Sequence, residues 1–315
     1  MNHSPSHDPR TPRPGATEPR RRTALVLGGG GSTGNAWLIG VVAGLLDGGL
    51  DVTGADLVIG TSAGSTAAAQ ITGANPARLL DDILTAPSTM HPGNGSIAGG
   101  GARASARPVI DQMERTRRII EAAGSPADMR RRMGAAAIEL AAASDDAVQA
   151  RWRATVASRL PSQDWPQQRV LITAVDAATG EPVVFERDSG VDLADAVAAS
   201  CSSAFAYRIG GTQYIDGGYR TNAENADLAA GSARVLVLSP FGGRTRTPMD
   251  WGMHLATQVD ELRAHGSRVE TLFPDEDSEH LFGPDAMNPS LRPPAAQAGF
   301  DRGRAAAARL AAFWR

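Results

Sequence analysis

Apolar residues gather in short runs along this chain, and the runs alternate with stretches of helical spacing. Residues 23–27 form the first run and end in glycines, the pattern of a buried strand feeding a loop. Residues 34–46 follow with Trp37, Leu38, Val41, Val42, Leu45 and Leu46 at helical intervals, and Gly48-Gly49 closes that helix. A second strand is predicted at 56–59 and a helix at 63–71. Farther on, 169–174, 182–186, 213–215, 234–238 and 268–273 read as strands, and 192–199, 250–264 and 295–313 as helices. Strands and helices that alternate in this way predict an α/β fold with a mainly parallel sheet covered on both faces.

Two stretches depart from that pattern. Residues of about 76–160 carry a Gly-rich run at 93–101 and then alanine- and arginine-rich segments at 108–121 and 127–157. Their modest apolar content predicts a helical insertion. Residues 1–22 are rich in Pro, Ser, Arg and His and hold too little apolar surface to offset the entropy of ordering, so a disordered tail is expected. One domain is therefore expected over 23–315.

Charge and cysteine content narrow the function classes. The net charge is −3 and the pI about 6.1, whereas a nucleic-acid binder needs a basic surface to neutralise phosphates. Cys201 is the single cysteine, which excludes an intrachain disulfide and a four-thiolate zinc site. A cytoplasmic protein is the simpler expectation. Arg20-Arg21-Arg22 invites an export reading, but only residues 24–27 behind it are apolar, far short of a signal core. No run approaches the roughly 20 apolar residues of a membrane span, so no transmembrane segment is expected.

Three local patterns carry chemistry. Gly60-Thr61-Ser62-Ala63-Gly64 joins the predicted strand 56–59 to a helix, with a serine at the bend. Such an elbow exposes a hydroxyl at the C-terminal edge of a sheet, and Gly60 and Gly64 supply clearance where Cβ atoms would not fit. Asp216 closes a predicted strand and is followed by Gly217 and Gly218, which let the chain turn sharply and aim the carboxylate across the sheet edge. A serine needs a base to become nucleophilic, and a buried aspartate of raised basicity can serve. Gly28, Gly29, Gly30 and Gly31 open the loop after the first strand, where backbone amides can meet the negative charge that acyl transfer builds on a carbonyl oxygen.

Rival readings of the same residues are weaker. Gly29-x-Gly31-x-x-Gly34 also fits a dinucleotide fingerprint, but the strand at 56–59 ends in Gly60-Thr61-Ser62 rather than in an acidic residue. His254, His265 and His280 follow Ser62 and Asp216 in the order of an α/β-hydrolase triad, though none lies in a glycine-bounded turn at a strand end.

These motifs resemble bacterial patatin-like phospholipases. Residues 27–37 are similar to that family's glycine-rich oxyanion loop, 60–65 to its nucleophile elbow and 216–218 to its dyad aspartate; 198–201 and 225–229 also follow its pattern. The resemblance covers roughly 23–75 and 165–275. It implies a three-layer α/β/α fold and a serine acyl hydrolase acting on lipid esters through a Ser62–Asp216 dyad, with no metal, no other cofactor and no histidine. It further implies a lipid or ester substrate and transient contact with membrane surfaces. Separately, the Gly-rich character of 91–107 beside the helical insertion leads to the expectation of a lid over an acyl groove. Two departures stand out: Thr33 occupies a place that is often cationic in the family, and 202–208 lacks the prolines common there. The second departure motivates an alternative, a catalytically weak lipid-binding member of the same fold.

Overall fold

The computed structural model describes residues 22–86, 102–143 and 146–314. The expected tail (except Arg22) and the first part of the expected lid, 91–101, lie outside the described residues. The elements run in chain order: β1 (Thr23–Leu27), α1 (Gly31–Asp47), β2 (Leu57–Gly60), α2 (Ala63–Gly73), α3 (Pro76–Thr85), α4 (Ala102–Ala122), α5 (Pro126–Ala142) and α6 (Asp146–Ala157). The second half contains β3 (Arg169–Asp176), β4 (Pro182–Phe185), α7 (Leu193–Ser200), β5 (Tyr207–Ile209), β6 (Thr212–Asp216), β7 (Arg234–Leu238), α8 (Leu255–Ala264), β8 (Arg268–Leu272) and α9 (Arg292–Trp314).

The strands form one sheet in the order β5-β6-β3-β2-β1-β7-β8, with β4 paired to β3 off that path. The five strands from β3 to β8 in that order are parallel, while β6, β5 and β4 are antiparallel additions. Register is set by two-sided burial. In β1, Leu25 and Leu27 enter a core built with α1, α2, α7 and α9, while Ala24 and Val26 face a second core against α8. A one-residue slip would exchange those faces. The result is a three-layer α/β/α sandwich.

Several boundaries differ from the sequence reading. The first helix starts at Gly31 rather than 34, because the loop glycines themselves enter the first turn. The predicted helix at 127–157 is two helices, α5 and α6. The start of the expected insertion is the helix α3, whose Leu80 belongs to the main core. Strand β5 has only three residues, too few for alternation to reveal. That edge strand is covered rather than bare: the Gln149 side chain on α6 donates to the Arg208 carbonyl and accepts from its amide.

Helices α1 and α9 cross with backbones almost in contact. A Cβ added at Gly40 would lie 2.0 Å from the Ala296 carbonyl oxygen, and one at Gly303 2.2 Å from that of Val41. Small residues on both helices thus seat α9 deep on α1, which brings the start of α9 to the loop between β1 and α1.

Candidate active site

All the parallel strands end at one rim, and the three motifs meet there. Ser62 follows β2 with φ 52 and ψ −119, a left-handed conformation that costs about 1–3 kcal/mol for a residue with a side chain. The surroundings hold it in place. Its N–H donates to Ser200 Oγ at 2.9 Å, and its carbonyl accepts from Ser65 Oγ at 2.6 Å and from Cys201 Sγ at 3.1 Å. The flanking glycines are closely packed: a Cβ on Gly64 would sit 1.9 Å from the Leu27 oxygen, and one on Gly60 2.6 Å from Ser65 Cα. Ser62 itself is half-buried and reachable.

Asp216 ends β6, paired with Ala174 on β3, and is 7% exposed. Its N–H donates to the Ser202 carbonyl, and its Oδ1 accepts from the Gly218 amide at 2.8 Å. Burial pushes its carboxyl up to about 6, opposed by the Gly218 amide and by a hydrogen bond from the Ser62 side chain. The structure therefore brings Ser62 and Asp216 together. Gly217 allows the turn to press against β3, since a Cβ there would fall 2.1 Å from Thr173 Oγ1. Tyr219, two residues on, feels both burial and the Asp216 charge, which lift its phenol to about 12.

The glycine loop flanks the serine directly: a Cβ on Gly29 would stand 3.5 Å from Ser62 Cβ. Its amides are not equivalent, and this corrects the expectation that all four are available. Gly28 N–H donates to the Leu238 carbonyl and Gly29 N–H to that of Ala223. The amides of Gly30 and Gly31, at the start of α1, have no acceptor among the described residues. The amide of Ala63, at the start of α2, is likewise without one. The N-termini of α1 and α2 thus present three N–H groups without an acceptor among the described residues, that of Ala63 directly after Ser62 in the chain.

Sequence reading missed the groups that support this loop. Thr33 is buried and donates to the Leu281 carbonyl at 2.9 Å, tethering the loop. A cation does reach the loop, from α9. Arg292 donates to the carbonyl and hydroxyl oxygens of Ser32 and to Asn35 Oδ1, and burial lowers its guanidinium to about 10. Glu224 lies against Gly28 with Oε1 accepting from Ser239 Oγ, while Oε2 is buried without a partner among the described residues. Burial pushes its carboxyl to about 7. Such contacts join residues far apart in the chain, and no local spacing announces them.

The three candidate triad histidines are turned to their own neighbourhoods. His254 bonds the Thr247 carbonyl, His265 that of Glu261 and His280 that of Asp277, and none of them bonds Ser62 or Asp216. No group of three or more His, Cys, Asp or Glu side chains among the described residues is arranged to hold a metal ion. No helix among the described residues is long and apolar enough to cross a membrane.

No curated protein matches the sequence. Among solved structures, VipD from Legionella pneumophila is 14% identical at a TM-score of 0.44, over 92% of this chain and 67% of that one. The type III effector protein ExoU is 16% identical at a TM-score of 0.38, over 92% of this chain and 54% of that one. A family model described as patatin-like phospholipase matches residues 25–229, from within β1 to the end of the short helical turn Ala226–Ala229 beyond Asp216. That match spans most of the described site and well over half of the sequence, and by it the chain belongs to the patatin-like phospholipase family.

Proposed function

We propose that this protein is a serine acyl hydrolase that cleaves carboxylic esters of lipids, in the manner of a phospholipase A or lysophospholipase. The observation that carries the reading is the meeting of a strained, reachable serine with a buried aspartate of raised basicity beside unengaged amides. Family membership supports lipid as the substrate class.

In this scheme Ser62 Oγ attacks the ester carbonyl carbon while its proton passes to Asp216. A carboxyl poised at about 6 is largely ionised at neutral pH yet basic enough to hold that proton. The amides of Gly30, Gly31 and Ala63 receive the charge that forms on the carbonyl oxygen, each donor contributing about 2.7–4 kcal/mol. The positive ends of α1 and α2 act in the same direction. Collapse expels the alcohol, which takes the proton from Asp216. Water then attacks the acyl-serine, gives a proton to Asp216, and the departing Ser62 oxygen recovers it.

Lipid substrates lie in aggregates, and the rim presents apolar side chains to them. Met287, beside Gly31, is 54% exposed, and Met249, on the loop after β7, is 70% exposed. They support transient contact with a membrane surface. Replacing Ser62 by Ala is expected to lower hydrolysis of a p-nitrophenyl ester and of phosphatidylcholine vesicles at least about a thousandfold. Retained turnover in folded protein would overturn the reading.

A further inference from the structure

Asn225 takes no part in the proton transfer, yet its side chain ties together the turns that carry Ser62 and Asp216. It is fully buried. Its Nδ2 donates to Thr61 Oγ1 and to the Gly217 carbonyl, both at 2.9 Å. Thr61 immediately precedes Ser62, and Gly217 immediately follows Asp216. One amide group therefore spans both turns from behind, and Thr173 Oγ1 on β3 braces the same point, 2.9 Å from Thr61 Oγ1.

The orientation of that amide follows from its neighbours. Oδ1 accepts from Thr221 Oγ1 at 2.7 Å and from Arg220 Nη1 at 3.1 Å, and an arginine can only donate. On the opposite side the Gly217 carbonyl can only accept. A flipped amide would break both sets. Aspartate has the shape but lacks the donor. The backbone is equally committed: Asn225 is one of two non-glycine residues with positive φ among the described residues, the other being Ser62. At φ 56 and ψ 41 it adopts the left-handed conformation that asparagine tolerates, held by its N–H donating to Asn222 Oδ1 at 2.7 Å.

We infer that Asn225 is a positioning residue that fixes the distance and angle between the Ser62 hydroxyl and the Asp216 carboxylate. This inference rests on the dyad reading above. An error of about 1 Å at a reacting pair can cost about a hundredfold in rate, so the clamp acts on the chemical step rather than on substrate binding.

The test is steady-state hydrolysis of a p-nitrophenyl ester across pH by Asn225→Gly and Asn225→Asp. Glycine keeps the left-handed backbone and loses the clamp, whereas aspartate keeps the shape and loses the donor. Folding is checked by circular dichroism and thermal melting. For folded variants kcat is expected to fall between about ten- and a hundredfold with KM within about twofold. For Asn225→Gly, which adds no charge, the acid limb of kcat/KM is expected to move above its wild-type position, because a loosened Ser62 no longer pulls the Asp216 carboxyl down. Unchanged kcat, or a fall in kcat with the limb unmoved, overturns the inference. If both variants fail to fold, Thr173→Val takes their place, with the same directions and a smaller loss expected, and unchanged kinetics there overturn it too. Ser62→Ala, run in parallel, separates the two ideas. Activity in that variant refutes the dyad itself, while an inactive Ser62→Ala beside an unaltered Asn225→Gly refutes only the clamp.

Discussion

Asp216 sits where its charge is costly. Its carboxyl is raised from an ordinary 3.8 to about 6, so the native state binds a proton more tightly than the unfolded chain does. Stability from this group is therefore fully present below the ordinary value and is lost as pH rises through about 6. At pH 7.5 the penalty is about 3 kcal/mol. Asp216→Asn keeps an oxygen for the Gly218 amide and removes the charge. This variant is expected to be inactive yet to melt a few degrees higher than wild type at pH 7.5, with the gap closing toward pH 4. Scanning calorimetry at the two pH values checks it; a lower melting point at pH 7.5 would contradict the burial argument. Glu224 adds a loss of the same sign, between its ordinary 4.5 and about 7.

The elbow, the Asp-Gly-Gly turn and the glycine loop were legible because each is local: glycines at fixed offsets around a reactive residue imply a turn without knowledge of the rest of the fold. The allocation of hydrogen bonds was not legible. Whether the Gly28 and Gly29 amides are free depends on Leu238 and Ala223, some two hundred positions away, and periodicity cannot report such partners. The short strand β5, only three residues long, escaped for a related reason. At this scale the clearest test is Gly64→Ala. Its added methyl would collide with the Leu27 carbonyl at 1.9 Å, backbone against backbone, with no flexible side chain to yield. A loss of about 3 kcal/mol or more in chemical denaturation is expected, or failure to fold. A variant as stable as wild type would show that the elbow can be rebuilt without glycine.

Across the whole molecule, the alternation of strands and helices was enough to fix the α/β class and the two-sided sheet, since strands buried on both faces read as continuous apolar runs. What alternation could not show is that α9, beyond the segment matched by the family model, reaches back to the site. The close glycine crossing with α1 seats α9, and Arg292 at its start holds the Ser32 carbonyl, directly after the glycine loop. The site is thus assembled from the ends of several strands and the head of the last helix. Its chemistry can be probed in the intact protein by fluorophosphonate labelling, with the modified residue mapped by mass spectrometry. A single adduct on Ser62 is expected, formed more slowly as pH falls through about 6 and Asp216 takes up its proton. An adduct on another residue, or none on folded protein at pH 7.5, would contradict the assignment of Ser62 as the nucleophile.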